Sequence, residues 1–133
     1  TYPPEKLSQK SGRKAFMKTW AGKAGEDHIA ELLEKRGYKI VARNFHSRYG
    51  EIDIIAKNGP YIAFVEVKTR AQNSLVSPFE AITLQKQRKI VATAKVFLKQ
   101  NPTNLQPRFD AAAVYVRGSE IVGEDYLENV FFS

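Results

Sequence analysis

Acidic and basic side chains interrupt an otherwise apolar stretch of the chain, from Gly50 to Arg70. Within it, two short runs rich in Ile, Val and Phe flank Asn58-Gly59, a dipeptide typical of a β-hairpin turn. The charged residues of interest in these runs are Glu51, Asp53, Glu66 and Lys68. Carboxylates on an apolar hairpin are costly to bury without a partner. A divalent cation would be such a partner, so this stretch is a candidate metal site.

A symmetric hairpin around this dipeptide predicts which of the charged side chains share a face. It places Asp53 opposite Phe64, and Glu66 opposite Glu51. Since side chains alternate between the two faces of a strand, these acids and Lys68 are expected on the same side of the sheet. Asp53 and Glu66 then become diagonal neighbours, at a distance of about 7–8 Å that long side chains can close.

A helix is expected before the hairpin, from Ala21 to Arg36, with its stop at Gly37. Its apolar stripe consists of Ile29, Ala30, Leu32 and Leu33. Glu26 falls inside this stripe, whereas the other acids of the helix fall outside it. Because an unpaired buried carboxylate is expensive, two interpretations stay open. Glu26 is either a helix-edge residue that reaches solvent or a lysine, or a member of the acidic site.

A second helix is expected after the hairpin. Ser77-Pro78-Phe79-Glu80 has the pattern of a helix start, with an N-cap hydroxyl, a proline at the first helical position and a glutamate that completes a capping box. The helix should run to about Gln100. Gln87 lies near the middle of its apolar stripe and Lys86 at the edge. A capped amide and an end that faces a polar site explain this polar turn equally well.

Three more strands complete the predicted domain. They cover Tyr38–Phe45, Arg108–Arg117 and Ile121–Val130, and the last of these is either an edge strand or a tail. Asp110, at the start of the core strand, is interpreted as structural and paired with a nearby base. The order helix, three strands, helix, strand predicts a single α/β domain over residues 21–133, with a mixed central sheet flanked by helices.

Basic residues dominate the charge, with a formal net charge of +7 and a pI near 9.7. Residues 1–24 carry six bases against one acid, and residues 81–109 carry six bases and no acid. Patches of this kind suit phosphate backbones, although solubility is an equal alternative. Residues 1–20 are predicted to be a flexible basic N-terminal arm, because they contain Pro3-Pro4 and lack hydrophobic periodicity.

Composition also excludes several classes of protein. The sequence contains no cysteine, which rules out disulfides and thiolate metal sites. No run approaches the ~20 apolar residues that a membrane helix needs, and no signal peptide is visible. We therefore expect a cytoplasmic protein with no membrane partner.

A helical glutamate, an aspartate on one strand and Glu-x-Lys on the next resemble the layout of restriction-endonuclease-like, or PD-(D/E)xK, nucleases. The matching residues are Glu26, Asp53 and Glu66-Val67-Lys68. Ile52 stands where the name-giving pattern of these nucleases has proline. A lone Glu-x-Lys is a weak signal, but its combination with an aspartate on a hairpin is much more specific.

From about Gly22 to Val130 the chain also resembles the YraN-like uncharacterised bacterial proteins, the family UPF0102. The stretches that carry the resemblance are Gly37-Tyr-Lys-Ile, Arg43-Asn-Phe, Arg48-Tyr-Gly-Glu-Ile-Asp-Ile-Ile, Phe64-Val-Glu-Val-Lys-Thr-Arg, Lys86-Gln-Arg and Arg108-Phe-Asp. This family is similar to the archaeal Holliday-junction resolvases in fold and site. The resemblance implies a restriction-endonuclease-like fold and hydrolysis of phosphodiester bonds in branched or duplex DNA, with Mg²⁺ or Mn²⁺ as cofactor.

The same resemblance assigns roles to individual residues. The implied catalytic residues are Glu26, Asp53, Glu66, Lys68 and Gln87. The implied metal ligands are Asp53, Glu66, the Val67 carbonyl and Glu26. The basic residues expected to hold DNA are Arg48, Arg70, Lys86, Arg88, Lys89 and Lys95. Two other functions stay open, a non-catalytic nucleic-acid-binding module and a structural or adaptor protein. The oligomeric state is also open, with a homodimer as one alternative.

Overall fold

A five-stranded mixed β-sheet forms the centre of the computed structural model, which describes residues 9–74, 77, 79 and 82–131. The strands are β1 (Lys39–Ser47), β2 (Gly50–Asn58), β3 (Tyr61–Ala71), β4 (Gln106–Arg117) and β5 (Glu120–Phe131). The helices are α1 (Gln9–Lys35) and α2 (Leu84–Gln100). The strands lie in chain order across the sheet, and only β3 and β4 are parallel. The predicted α/β domain is confirmed, with β5 as an edge strand.

The two helices cover opposite faces of the sheet. Buried residues of the cluster under α1 include Ile29, Leu33, Ile54, Val65 and Val114. Buried residues of the cluster under α2 include Ile90, Phe97, Ile55, Phe64 and Phe109. Neighbouring strand residues such as Ile54 and Ile55 belong to different clusters because side chains alternate along a strand. The apolar stripes predicted for the two helices are therefore the faces that pack on the sheet.

The first helix begins at Gln9 rather than at Ala21, and ends at Lys35 before Gly37, whose φ is +92°. Residues 9–20 contain no proline and several good helix formers, so the helix extends beyond its apolar stripe. The predicted arm overlaps this extension, while residues 1–8 lie outside the described residues, and the arm's flexibility stays a prediction. Within the described part of the chain, neither helix is long and apolar enough to cross a membrane.

The β2–β3 hairpin turns at Gly59-Pro60, and the predicted register is wrong. Asn58 pairs with Tyr61, and Ile55 rather than Asp53 lies opposite Phe64. Gly59 has a φ of +59°. Proline holds φ near −65°, so these two residues fit a type II′ turn, whereas an Asn-Gly type I′ turn would need a positive φ at Asn58. The register differs by two residues, and a shift of two keeps each side chain on its expected face.

The predicted start of the second helix is also wrong. Thr83 is the N-cap of α2, and its hydroxyl accepts from the Lys86 N–H at 3.2 Å. The hydroxyl of Ser77 accepts from the N–H of Phe79, two residues on, in a local turn that lies before α2 and is not part of it. Glu80, the other half of the predicted capping box, lies outside the described residues.

Gly25 allows α1 to lie against β3 and β4. A Cβ added at Gly25 would overlap Oγ1 of Thr69 and would lie 3.6 Å from the Cβ of Val114. The Thr69 hydroxyl also donates to the carbonyl of Ala21 at 3.5 Å. Because Glu26 follows directly in the chain, this close packing also determines how far its carboxylate lies from the strands.

Gly25→Ala is expected to lower the free energy of unfolding by about 1–3 kcal/mol, because the added methyl group overlaps Thr69 in a packed interface. Gly22→Ala is the matched control on the same helix, since a Cβ there meets no atom within 4 Å. Alanine favours helix over glycine by up to about 1 kcal/mol, so the control should be neutral or more stable. Urea denaturation measures both variants. Equal stability of the two would show that Thr69 moves aside at no cost.

Candidate functional site

Strands β2 and β3 separate from each other at Asp53, and we call this point the strand fork. Their backbone ladder ends at the Ile54–Val65 pair, while β2 stays paired with β1 and β3 stays paired with β4. Beyond the last pair, the Val67 N–H donates to Oδ2 of Asp53 at 2.7 Å. The aspartate carboxylate therefore satisfies a backbone donor that has lost its strand partner.

Strict alternation along β2 breaks at the strand fork. Ile52 packs in the cluster under α2 and Ile54 in the cluster under α1, although residues two apart normally share a face. Across β1 from this point, Asn44 has a φ of +50°, in the left-handed region. Glu51 lies apart from the buried acids, because its side chain is 47% exposed and lies 3.6 Å from a ring nitrogen of His46.

Asp53 is buried among other acids. Its exposure is 7%, and burial, the nearby charge of Glu66 and the carboxylate of Glu26 raise its pKa to about 8. The hydrogen bond from the Val67 N–H opposes this shift but does not overcome it. A hydrogen bond between the Asp53 and Glu26 side chains favours the protonated form of Asp53. Burial and the neighbouring acids therefore favour the protonated, neutral form of Asp53.

Glu66 is equally buried, at 6% exposure, and two lysines meet it. The Nζ atoms of Lys68 and Lys86 lie 3.2 and 3.0 Å from Oε2 of Glu66. Burial disfavours the charge of Lys86, but the charge of Glu66, the hydrogen bond to it and smaller contributions from other neighbours together raise the pKa of Lys86. Glu66 and Lys68 were predicted to share one face. The polar turn of Lys86 and Gln87 was interpreted either as a capped amide or as an end that faces a polar site, and the contact of Lys86 with Glu66 favours the second interpretation.

Glu26 faces the sheet from α1, and its side chain is 18% exposed. Asn44 donates to its Oε1 at 2.9 Å, and the Arg43 guanidinium lies 4.0 Å from the same atom. These two residues of β1 were not assigned to the site from the sequence. An asparagine within a strand was the available signal, because Asn is depleted from strands and tolerates the left-handed backbone conformation.

The donor set suits a metal ion held by few protein ligands. Within the described ranges, no group of three or more His, Cys, Asp or Glu side chains could hold a metal. The three predicted acids therefore do not form one ligand group, since Glu26 hydrogen-bonds Asp53 while Glu66 meets lysines. Mg²⁺ retains several waters and is often held by one or two carboxylates. The buried pair of Asp53 and Glu66 fits an ion of this type.

Gln87 has no recorded contact with these acids. Its side-chain amide donates to the carbonyl of Ile82 at 3.2 Å, just before α2. It also lines a cavity of about 150 Å³ whose other described residues include Phe79 and Val130. The interpretation of Gln87 as a capped amide, satisfied by a nearby backbone acceptor, is supported by this contact, and a catalytic role stays a prediction.

The predicted nucleic-acid-binding residues divide into two groups. Three of them line one cleft beside α2, namely Arg48, Arg88 and Lys89. The other three lie apart from this cleft. Lys86 contacts Glu66, Lys95 is exposed further along α2, and Arg70 donates to the carbonyl of Thr69 at 3.1 Å. Among the described residues, the first group therefore shares one cleft, and the second group does not line it.

A second buried polar cluster surrounds Asp110 and is fully paired. The Arg108 guanidinium donates to both carboxylate oxygens, at 3.0 and 2.9 Å for the shortest contacts, and the Tyr126 hydroxyl donates at 2.6 Å. The Asn129 N–H adds a bond of 2.9 Å. Burial and the charge of Asp110 raise the pKa of Tyr126. The structural role predicted for Asp110 is confirmed.

Comparisons with known proteins match the part of the chain that builds the strand fork. The model of "Uncharacterised protein family UPF0102" matches residues 25–114. A UPF0102 protein of Caldicellulosiruptor saccharolyticus is 43% identical over 112 residues, which cover 83% of this chain and 95% of that protein. Another, of Caldanaerobacter subterraneus subsp. tengcongensis, is 40% identical over 121 residues, or 89% and 99% of the two chains. A third, of a Sulfurihydrogenibium species, is 45% identical over 117 residues, or 86% and 96%.

The raised pKa of Asp53 predicts how stability depends on pH in the metal-free protein. Between pH 3.8, the ordinary value, and about 8, the folded state holds a proton that the unfolded state has released. The free energy of unfolding should therefore fall as pH rises through this range, by up to about 1.4 kcal/mol per pH unit. Asp53→Asn should flatten this dependence, because the amide oxygen can still accept from Val67.

Thermal melting in EDTA at a series of pH values measures this effect. Glu51→Gln is the control, because it removes an exposed acid from the same strand. The control should keep the pH dependence of the wild-type protein. A wild-type protein whose melting temperature does not fall between pH 5 and 8 would contradict the environment described for Asp53.

Proposed function

We propose that this chain, which belongs to the uncharacterised protein family UPF0102 as its motifs predicted, is a metal-dependent endonuclease that hydrolyses phosphodiester bonds in DNA. The observation that carries the proposal is the pair of buried carboxylates at the strand fork, Asp53 and Glu66. Burial and the nearby charge of Glu66 raise the pKa of Asp53, so packing alone gives no reason to place the two acids together. Groups perturbed in this way collect at functional sites.

The proposed cofactor is Mg²⁺ or Mn²⁺. Asp53, Glu66 and the main-chain carbonyl of Val67 would hold it, with Glu26 as an outer ligand or a ligand of a second ion. Two or three hard oxygen ligands suffice for Mg²⁺, which keeps part of its water shell. When bound, the ion would neutralise phosphate charge and lower the pKa of a bound water.

The lysines beside Glu66 supply the remaining chemistry. In hydrolysis the water oxygen bonds to phosphorus, one phosphorus–oxygen ester bond breaks, and the leaving oxygen takes up a proton. Lys68, 3.2 Å from Glu66, would orient the attacking water or donate to the phosphoryl oxygen on which charge develops. Lys86 would hold Glu66 from the side of α2. The basic face of α2 would bind the phosphate backbone, which fixes position without reading sequence.

The resemblance to junction resolvases extends the proposal to branched DNA. Junction, flap, duplex and single-stranded DNA of matched sequence, incubated with Mg²⁺ or Mn²⁺, would identify the preferred substrate. Cleavage of the branched forms ahead of the duplex would support this part of the proposal. Equal cleavage of all four would leave a nuclease without structural preference.

A non-catalytic nucleic-acid-binding module is the second candidate. Glu66 already meets two ammonium groups, so its charge is compensated without a metal. An ion-pair network of this kind can persist on a fold that has lost its chemistry. Metal binding separates the two candidates, because the module requires none.

Calorimetric titration with Mn²⁺ is expected to show binding that Asp53→Asn and Glu66→Gln each abolish or weaken at least about tenfold, since each removes a charged ligand. The same variants should lose DNA cleavage by orders of magnitude. Glu51→Gln is the matched control, an acid on β2 whose side chain is largely in solvent. It should bind Mn²⁺ and cleave as the wild-type protein does.

The absence of Mn²⁺ binding in the wild-type protein, with DNA present, would overturn the nuclease proposal in favour of the module. Binding that Glu51→Gln weakens as much as Glu66→Gln would place the ion elsewhere. Both variants replace a carboxylate by an amide of nearly the same volume. Their melting temperatures therefore check that loss of binding is not loss of fold.

Glu26→Gln is expected to keep or raise the melting temperature of the metal-free protein, because it removes an acid that faces Asp53. The amide oxygen can still accept from Asn44. Cleavage should nevertheless fall strongly if Glu26 orders the site. Asp27→Asn is the neighbouring control, since Asp27 is 50% exposed and pairs with Arg43. A destabilised Glu26→Gln whose folded fraction cleaves normally would make Glu26 structural.

A further inference from the structure

An open cleft lies between the β1–β2 turn and α2, close to the strand fork. Its volume is about 420 Å³, within the range of about 300–1,000 Å³ typical of ligand sites. The described residues that line it are Arg48, Tyr49, Gln85, Arg88, Lys89 and Ala92. Three of these are cations and none is acidic. We call this the Tyr49 cleft.

Tyr49 is the aromatic residue among the basic side chains that line the cleft, and it is 42% exposed. The Arg48 guanidinium lies over the ring, 4.9 Å from its centroid, and donates to the tyrosine hydroxyl at 2.8 Å. Both residues are exposed, so the pair presents an aromatic ring and a guanidinium group to solvent. Both groups are the platforms on which unpaired nucleic-acid bases stack.

The α2 side of the cleft is a stripe of one helix face. Gln85, Arg88, Lys89 and Ala92 follow the spacing that places residues on neighbouring turns. This stripe lies beside the buried stripe that begins with Lys86, the residue in contact with Glu66. The basic side chains of the cleft wall, Arg88 and Lys89, therefore belong to the same two turns of α2 as Lys86, whose ammonium group contacts Glu66.

The cleft also lies close to the strand fork along β2. A Cβ added at Gly50 would lie 3.5 Å from the Cβ of Lys89, so the first residue of β2 packs against the cleft wall. Asp53 follows three residues later, a distance of about 10 Å along a strand. Nucleotides stacked at about 3.4 Å would cover this distance in about three steps.

We propose that the Tyr49 cleft binds an unpaired nucleotide, with its base stacked on the Arg48–Tyr49 pair and its phosphate against Arg88 and Lys89. The substrate of the site is then DNA with a single-stranded segment next to the cleaved bond. This inference rests on the proposed function and specifies its substrate class. Phosphate contacts alone would need the cations but not the exposed ring. The bases of an intact duplex are stacked on one another and cannot reach it.

Binding is measured in EDTA by fluorescence anisotropy, with a labelled oligothymidine and with a duplex of equal length. Tyr49→Leu should weaken single-strand binding about 5- to 150-fold, the equivalent of about 1–3 kcal/mol per stacked base, and leave duplex binding unchanged. Tyr49→Phe is the matched control, because it keeps the ring and should bind the single strand nearly as the wild-type protein does. Arg88→Ala should weaken binding to both probes and reduce the salt slope by about one.

Tyr49→Trp gives a second, independent readout. Its ring should keep or increase the single-strand affinity, and stacking should quench its fluorescence beyond the change seen in the wild-type protein, whose one tryptophan is Trp20. Equal weakening of single-strand and duplex binding by Tyr49→Leu would overturn the proposal, as would a wild-type protein that does not bind the single strand. Because metal and cleavage are absent here, failure of the nuclease proposal would leave these results intact.

Discussion

The hydrogen bond from the Val67 N–H to the Asp53 carboxylate is the contact on which the site depends. A strand that leaves its neighbour exposes a backbone donor, and a buried donor without a partner is costly. Asp53 removes that cost, and β2 and β3 can part at the centre of the sheet. The opening admits side chains from both faces. Glu26 reaches it from α1 and Lys86 from α2.

Asp53 and Asp110 are both buried on this sheet, but they differ in how far neighbouring groups compensate the charge of the carboxylate. Asp110 receives a guanidinium, a phenol and a backbone N–H, so its charge is compensated on every side. Asp53 receives one backbone N–H and faces two carboxylates. Equal burial therefore has opposite meanings at the two positions. The first aspartate ties β4 to β5, whereas the second remains an acid whose pKa is raised by its neighbours.

Helices, strands and their buried faces followed from hydrophobic periodicity, and the motif at Glu66-Val67-Lys68 identified the acidic face. The hairpin register was not predicted correctly. The fixed φ of Pro60 places the turn at Gly59-Pro60, whereas the Asn-Gly signal placed it one residue earlier. The start of α2 was misplaced because Ser77 and Thr83 are both plausible caps in the sequence, and Thr83 is the one that caps α2. The polar turn of Lys86 and Gln87 indicated an end that could face a polar site. Local patterns do not encode which side chain it meets, and the contact between Lys86 and Glu66 was therefore not predicted.

The parallel pairing of β3 with β4 sets the order in which the chain can assemble. Hairpins form between neighbouring segments, but a parallel partner arrives only after the connection that contains α2 has crossed the sheet. Glu66 pairs with Ala111 of β4 and contacts Lys86 of α2, so its surroundings are completed late. During synthesis, a chain that ends before α2 contains Asp53 and Glu66 but not the residues of α2 and β4 that surround Glu66 in the folded protein. The surroundings of the acidic cluster are therefore complete only after both α2 and β4 have been made.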